Sequence, residues 1–411
     1  MSSSLARRWP LLGNKDYALF LGARTLSSIA IRMQAVAVGW QVYATTHSAL
    51  DLGWVAFSQF LPFVFFVLPA GHAADRFDRR RIATLCIATQ LLCIAVLLLL
   101  SIRGLSSAWP VFAVMVLFGV SRAFYMPAMQ ALVPALVRAE QLQSAVGLNV
   151  TVTQIAFFVG PAVGGLLYLF GPVTVYGTGA ALLFLAVLMV AAIRSGAHAV
   201  VSKEPTTWRT LLAGLRFLRL KPTMLGAMTL DLFAVLFGGA TALLPVYASD
   251  ILHVGPDGLG WLRAAPGVGA SLCALWLAAR PITHRVGHWI LGSVAVFGLA
   301  TVVFGLTKSF AIALLALTIV GASDMVSVYV RNLLVQLETP DEIRGRVNAL
   351  SAVMIGASNE LGEFESGLVA SWVGAVGSVV IGGAATLCIV ALWTRLFPPL
   401  VKLDRFEQPA G

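Results

Sequence analysis

The feature that most constrains the fold of this chain is a long succession of apolar segments. A segment of about 20 apolar residues is long enough to cross the hydrocarbon core of a membrane as an α-helix. Twelve such segments follow one another, and their predicted bounds are 15–45, 50–74, 82–103, 108–133, 142–168, 173–194, 222–250, 257–280, 286–306, 309–337, 342–370 and 374–397. The sequence therefore predicts an all-α membrane protein with twelve transmembrane helices.

The composition and the distribution of charge agree with a membrane protein. Charged residues make up only 11% of the chain, whereas soluble domains carry about 25%. The net charge of +10 does not indicate nucleic-acid binding, because the basic residues lie in short gaps between apolar segments, as the positive-inside rule describes. The four cysteines lie in apolar runs without a CxxC pair or a histidine cluster, so we expect neither a bound metal nor a cofactor.

One long polar gap divides the segments into two groups of six. The predicted parts are a cytoplasmic tail, a six-helix bundle, a cytoplasmic linker, a second six-helix bundle and a cytoplasmic tail, over 1–14, 15–194, 195–221, 222–397 and 398–411. An internal repeat supports two pseudo-symmetric halves, because residues 119–166 align without gaps with residues 321–368. The alignment matches Gly119 with Gly321 and places Asp324 at the position of Arg122. Parallel repeats of this kind are typical of transporters.

The placement of lysine and arginine predicts that both termini are cytoplasmic. With that orientation most of the basic residues face the cytoplasm, and only Arg103, Arg263 and Lys308 fall outside. Four further arginines lie deep within apolar segments, and they are Arg24, Arg32, Arg122 and Arg331. The N-terminus has no compact apolar region followed by a cleavage site, so we expect it to be retained as a tail.

The short turn between the second and third segments is rich in charge. Gly71–Arg81 contains four arginines and two aspartates. Asp75 ends its own helix, where the helix dipole disfavours an anion, so we expect it to contact Thr339, a predicted helix N-cap, or Arg344 or Arg346. The alternative is that the arginines only set the topology and that Asp75 is solvated.

Three motifs resemble those of a known family. The pattern Gly-x-x-x-Asp-Arg-x-x-Arg-Arg in this turn resembles the signature loop of the major facilitator superfamily, although Asp78 stands where many members have glycine. GPAVGG at 160–165 resembles the end of the antiporter motif of that superfamily, with Ala156 in place of its usual preceding glycine. RGRV at 344–347 and ELGEFESG at 360–367 resemble the enterobactin-exporter-like branch, which includes macrolide and other efflux proteins. The resemblance implies gating roles for Gly71, Asp75, Arg76, Arg79, Arg80, Gly160, Pro161, Gly164, Gly165, Arg344 and Arg346.

The glycine stretch at 160–165 also has a meaning that does not depend on the family. Small residues let helix backbones approach closely, and Pro161 favours a bend. The glycine-rich segment 257–280 is its predicted packing partner. The alternative is tight packing without a role in coupling.

The deep charges indicate a central cavity. Ionisable residues inside a membrane are costly and usually face a cavity or pair with one another. In the resembled fold the first, fourth, seventh and tenth helices line the cavity, and these segments contain the deep charges. We expect the pairs Arg122–Asp324 and Arg24–Asp231, which are either switched during transport or static. The predicted cavity residues are Arg24, Arg32, Gln34, Arg122, Tyr125, Met129, Asp231, Asp324 and Arg331.

The eleventh segment adds acidic residues. Glu360 and Glu363 lie on one helix face, while Glu365 points the other way. Burial makes a carboxyl group suited to carrying a proton. The predicted proton-coupling residues are Asp231, Asp324, Glu360 and Glu363. For the two glutamates, a structural role at the domain seam or near the outer rim is the alternative.

Together these features predict a monomeric secondary transporter of the inner membrane that exports a small organic molecule in exchange for protons. Alternating access is the expected mechanism, and a siderophore-, macrolide- or drug-like molecule, protons and membrane lipid are the expected partners. The chain lacks a GxxxxGK[ST] loop, which argues against direct use of ATP. A proton-independent facilitator or importer is one alternative. A non-transporting receptor or an enzyme is a remote one, because the histidines have no ligand or triad spacing.

Overall fold

The computed structural model describes residues 13–194 and 215–406. Most of the predicted N-terminal tail, most of the predicted linker and the last five residues lie outside this part of the chain, as do a few side chains within it, including those of Asp75 and Arg344. All regular secondary structure in the described ranges is helical. This agrees with an all-α membrane protein, because helices satisfy their backbone hydrogen bonds internally.

Six long helices lie in the N-terminal part. They are α1 Lys15–Thr46, α2 Ala49–Arg76, α3 Arg79–Arg103, α4 Trp109–Leu136, α5 Leu142–Tyr168 and α6 Pro172–Ala191. Each covers one predicted apolar segment, with ends shifted by a few residues. A 3₁₀ turn over Ala139–Gln141 precedes α5.

The C-terminal part contains α7 Pro222–Phe237, α8 Gly255–Ala279, α9 Val286–Leu306, α10 Phe310–Glu338 and α11 Asp341–Leu396. The last two predicted segments form one continuous assignment in α11, but Gly374 has φ 78° and interrupts its helical geometry. Glycine tolerates this conformation because it has no Cβ atom. A short turn over Pro398–Val401 follows.

The predicted segment 222–250 is not a single helix. After α7 the chain forms a 3₁₀ turn over Ala240–Leu243, a short α-turn and a π-turn over Tyr247–Ile251. Two adjacent glycines, Gly238 and Gly239, separate α7 from these turns. Glycine weakens a helix interior, so the pair accounts for the break.

Ten helical stretches within the described residues are long and apolar enough to cross a membrane. Helix α1, which contains Arg24, Arg32, Gln34 and Gln41, is not among them, and Gly345–Leu396 counts as one stretch of 52 residues. The number of twelve spans therefore stays a prediction.

The described residues form two compact units. The first contains 13–46 and 58–194, and the second contains 47–57 and 215–406. Within the first unit α1 packs against α5 and α6, and α3 packs against α4 and α6. Within the second unit α8 packs against α10, and α9 packs against α10 and α11. Residues 47–57, which begin α2, pack with the second unit, where Gly53 lies against Gly367.

Two glycines that the internal repeat aligns make the same kind of contact in the two units. A Cβ atom on Gly119 of α4 would overlap the carbonyl oxygen of Gln59 on α2. A Cβ atom on Gly321 of α10 would overlap the carbonyl oxygen of Pro266 on α8. The two positions therefore permit equivalent close helix crossings.

The predicted cap of the eleventh helix is wrong. Thr339 ends α10 with extended backbone angles, and α11 begins only at Asp341 with Pro340 as its N-cap residue. Proline restricts the preceding residue to extended conformations, which explains why Thr339 is too early to cap α11.

Candidate functional site

The interior of the second unit contains a buried ion pair. Arg331 of α10 donates a hydrogen bond through Nη1 to Oδ2 of Asp231 on α7. Ser327 donates its hydroxyl hydrogen bond to the other oxygen of Asp231, Oδ1, at 2.8 Å. Asp231 is 4% exposed and Arg331 is 3% exposed. Both carboxylate oxygens are therefore engaged, as a buried anion requires.

Helical spacing explains how α10 supplies these groups. Asp324, Ser327 and Arg331 follow at intervals of three and four residues and therefore share one face. Two narrow crevices meet at Asp231: one is also lined by Arg331 and Ser351, and the other by Asp324 and Ser327. The predicted cavity residues Asp231, Asp324 and Arg331 are thus brought together.

Asp231 has an ion-pair partner within its own unit. The sequence predicted Arg24, which belongs to the first unit, whereas the structure gives Arg331. The spacing of Arg331 and Asp324 correctly placed them on one face but did not show which helix they meet. The expected pairs Arg24–Asp231 and Arg122–Asp324 each join the two units and stay predictions.

The break after α7 lies against the acidic stretch of α11. Ser366 donates a hydrogen bond of 3.1 Å to the carbonyl oxygen of Gly239, and Thr241 donates one of 3.4 Å to Oε1 of Glu363. A Cβ atom on Gly362 would lie 2.7 Å from the carbonyl oxygen of Leu236. The residues ELGEFESG of α11 therefore contact the part of the seventh segment where its helix is interrupted.

Arg263 of α8 is a charged residue of this region that sequence reasoning assigned only to topology. Its positive charge interacts with the negative charge of Glu363, and its Nε atom is buried. Glu363 and Glu360 both make further interactions. A basic residue in the middle of a glycine-rich stretch was the available clue, since deep charges usually have partners.

The arginines of the first unit lie over aromatic rings. The guanidinium carbon of Arg24 lies 5.4 Å from the ring centre of Tyr125, and that of Arg32 lies 3.9 Å from the ring centre of Phe157. The corresponding distance from Arg122 to Phe63 is 5.8 Å. Such cation–π contacts stabilise a desolvated guanidinium. The sequence did not predict these pairs, because each joins residues far apart in the chain.

Three other predicted cavity residues are buried in the first unit. Tyr125 is 4% exposed, and its hydroxyl lies 2.8 Å from that of Ser27. Gln34 is 3% exposed, and its Oε1 has no hydrogen-bond partner among the described residues. Met129 is almost fully buried.

The charged turn after α2 makes hydrogen bonds to several helix ends of the first unit. Asp78 is the N-cap of α3 and accepts hydrogen bonds from the backbone N–H groups of Arg80 and Arg81, at 2.9 and 3.3 Å. Arg79 donates to the carbonyl oxygen of Ala131 on α4 at 3.1 Å, and Arg80 donates to that of Ile193. The aspartate that replaces the usual glycine therefore has a capping role. The two arginines bind carbonyl groups near helix C-termini, where cations are favoured.

Among the other predicted gating residues, the two glycines Gly160 and Gly164 of α5 make close contacts with a neighbouring helix. A Cβ atom on Gly164 would lie 2.9 Å from Cα of Met33, and one on Gly160 would lie 3.1 Å from the carbonyl oxygen of Ile29. The α5 glycines thus pack against α1, whereas their expected packing with α8 joins the two units and stays a prediction. The remaining residues are distributed as follows: Pro161 and Gly165 are buried, Gly71 and Arg346 are half-buried, Arg76 is exposed, and the side chains of Asp75 and Arg344 lie outside the described set.

Comparisons with known proteins agree with this architecture. The family model described as "Transmembrane secretion effector" matches residues 6–408. The enterobactin exporter EntS of Shigella boydii serotype 18 is 28% identical over 393 residues, covering 95% of this chain and 93% of the relative. EntS of Escherichia coli O1:K1 / APEC is 27% identical over 395 residues, with the same coverage.

Solved structures show the same fold at low sequence identity. A bacterial homologue of the human lysosomal transporter Spinster has a TM-score of 0.75 and 15% identity, and it covers 100% of both chains. The nucleoside transporter NupG has a TM-score of 0.70 and 16% identity, with coverage of 92% of this chain and 99% of that one. Because the family model spans almost the whole chain, the protein belongs to the transmembrane secretion effector family of the major facilitator superfamily, in its enterobactin-exporter-like branch.

Proposed function

We propose that this protein is a secondary transporter of the inner membrane that exports a small organic molecule in exchange for protons. The names of its relatives, enterobactin exporters, support efflux and favour a siderophore-like substrate. The proposed mechanism is alternating access by two six-helix halves, 15–194 and 222–397, in a monomer whose twelve helices contact membrane lipid. The placement of basic residues supports cytoplasmic termini.

The observation that carries proton exchange is the charge balance around Asp231. The two joined crevices are lined by two carboxyl groups, those of Asp231 and Asp324, and by one guanidinium group, that of Arg331. With both acids ionised the site has one uncompensated negative charge, which is costly inside a membrane. Binding of a single proton removes this charge.

Asp324 is the group at which this proton is proposed to bind. Protonation of Asp324 leaves the Asp231–Arg331 pair neutral overall, whereas loss of that proton adds a second carboxylate charge to crevices that are lined by one guanidinium group. A ligand changes a conformational equilibrium only through its different affinities for the two states. The state of Asp324 therefore biases which conformation the transporter adopts. Glu360 and Glu363 are the second proposed proton-coupling pair.

Transport measurements in proteoliposomes test this proposal. We expect enterobactin, used as the probe, to move faster when a pH gradient is imposed, and Asp324→Asn to abolish that acceleration. Asp257→Asn, in the first turn of α8 and outside the crevices, is the matched control and should keep it.

Three results would contradict parts of the proposal. Enterobactin flux that ignores the gradient in the unmodified protein would favour a facilitator. An unchanged gradient dependence in both Asp324→Asn and Glu363→Gln would remove the proposed coupling sites. Absence of enterobactin flux would reject the siderophore-like substrate.

A further inference from the structure

The helix interiors of the two units differ in the sign of their charges. In the second unit they contain both acids and bases, including Asp231, Asp324 and Arg331. In the first unit, the acids of the chain fall at helix ends, as with Asp16, Asp78 and Glu140. Its helix interiors contain only basic charged residues, which are Arg24, Arg32 and Arg122. No carboxyl group of these helix interiors is therefore available to neutralise Arg24.

Arg24 is the arginine of this set whose surroundings are most fully defined. It is 9% exposed, and its Nε atom is buried without a hydrogen-bond partner among the described residues. The ring of Tyr125 covers its guanidinium at 5.4 Å, and the Tyr125 hydroxyl is fixed by Ser27 at 2.8 Å. A desolvated cation without an anionic partner is unfavourable, and a single ring compensates it only in part.

The geometry determines how a ligand can bind to this guanidinium. The guanidinium carbon of Arg24 lies 5.4 Å from the ring centre of Tyr125, and the N–H donors of a guanidinium lie in its own plane. Because Nε is buried, the two terminal nitrogens are the donors that a ligand can reach. A planar pair of N–H groups matches the two oxygens of a carboxylate or a similar oxyanion.

We propose that Arg24 is the anchor for an anionic group of the transported molecule, and that Tyr125 and Ser27 position it. The substrate class is thus an organic anion bearing a carboxylate or another oxyanion. This inference rests on the proposed function, because it assigns a substrate class to the same transporter. The first unit then recognises the charge of the ligand, and the second unit responds to protons.

Binding of two matched probes to the full-length protein in detergent tests the proposal. The probes are 1-naphthoate and its neutral analogue 1-naphthamide, measured by calorimetry at pH 7.5. We expect the unmodified protein to prefer 1-naphthoate. Arg24→Gln should weaken 1-naphthoate binding roughly tenfold or more, since a charge-assisted pair is lost, and should leave 1-naphthamide binding unchanged. Arg24→Lys, which keeps the charge but not the planar pair of donors, should give an intermediate loss.

Arg103→Gln is the control, because Arg103 is an exposed arginine at the end of α3 and its loss changes the net charge equally. This variant should bind both probes as the unmodified protein does. The proposal would be overturned if the unmodified protein bound the two probes equally or did not bind 1-naphthoate. It would also be overturned if Arg24→Gln weakened the binding of both probes equally.

Proton-driven flux of the unmodified protein separates this inference from the proposed function. If 1-naphthoate binding depends on Arg24 but no proton-dependent flux occurs, the anion site stands and proton exchange is rejected. If flux is proton-dependent but the probes are not distinguished, the transporter assignment stands and the anion anchor is rejected.

Discussion

Arg331 of α10 and Asp231 of α7 form an ion pair in which each side chain is more than nine-tenths buried. Desolvation of the two charges offsets much of their attraction, so the pair is not in itself a large source of stability. Removal of one partner has a different consequence, because it leaves the other charge buried and uncompensated. The single and double substitutions therefore have unequal effects.

We expect Arg331→Met to lower the free energy of unfolding by about 3–5 kcal/mol. The double variant Asp231→Leu with Arg331→Met should recover most of this loss, because no charge remains unpaired. Ser327→Ala, which removes one hydrogen bond to Asp231, should cost about 1 kcal/mol. Equilibrium unfolding in detergent mixtures measures all three. A double variant that is as unstable as the sum of its single variants would show that the two charges do not act as a pair.

The repeat-related glycines make a second prediction. At Gly119 and Gly321 an added methyl group overlaps a carbonyl oxygen of the neighbouring helix, so we expect alanine at either position to destabilise its unit by about 1–3 kcal/mol. Gly147 of α5 has nothing within 4 Å of an added Cβ atom. Gly147→Ala should therefore be neutral or stabilising by up to about 1 kcal/mol.

Thermal unfolding of the three alanine variants in detergent gives the comparison. A stabilising effect at Gly119 or Gly321 would contradict the close crossing. Effects of opposite sign at these two positions would contradict their equivalence.

The sequence predicted the helices well and their contacts poorly, for a physical reason. A helix needs about 20 apolar residues to cross the hydrocarbon core, so an apolar segment such as 286–306 coincides with its helix. The choice of partner between helices depends on side-chain shape, which is why Asp231 could not be assigned to Arg331. Two other contacts depend on three-dimensional packing in the same way. They are the cation–π contact of Arg24 with Tyr125 and the hydrogen bond from Ser366 to Gly239.

Local chemistry was predictable where the relevant groups are neighbours in the chain. Asp78 precedes Arg80 and Arg81 by two and three residues, which is the spacing of an N-cap. The family resemblance identified Asp78 only as a replacement for glycine and did not predict the cap.

The Asp78 cap gives a third prediction. Asp78→Ala removes the acceptor for two backbone N–H groups and should cost about 1 kcal/mol. Asp78→Asn keeps an acceptor oxygen and should cost much less, and Asp78→Gly should cost only a few tenths of a kcal/mol. Thermal unfolding measures the order of the three variants. An asparagine variant as unstable as the alanine variant would mean that the charge of Asp78, and not its cap, supports the turn.

The contact between Asp404 and the start of α9 gives a prediction about pH. Asp404 accepts a hydrogen bond of 3.0 Å from the backbone N–H of Arg285, and its other oxygen lies 3.5 Å from Nδ1 of His284. The adjacent backbone pairs as well, because the N–H of Gly287 donates to the carbonyl oxygen of Leu403 at 2.9 Å. These bonds attach the C-terminal segment to the loop before α9.

The backbone N–H of Arg285, followed by His284 and Arg405, lowers the pKa of Asp404 below its ordinary value of 3.8. Because the pKa is lower in the folded protein, the contact contributes its full stability above the unfolded pKa and loses it as the pH falls through the folded pKa. We therefore expect the Gly287 amide to remain protected from hydrogen exchange from neutral pH down to about 4, the ordinary range for an aspartate, and to lose protection below it. Asp404→Asn should not lose protection in this pH range. His284→Gln should still lose it, because the Arg285 N–H has a larger effect than His284 on the pKa of Asp404. If the Gly287 amide of Asp404→Asn still lost protection at low pH, another group would be responsible for the acid sensitivity.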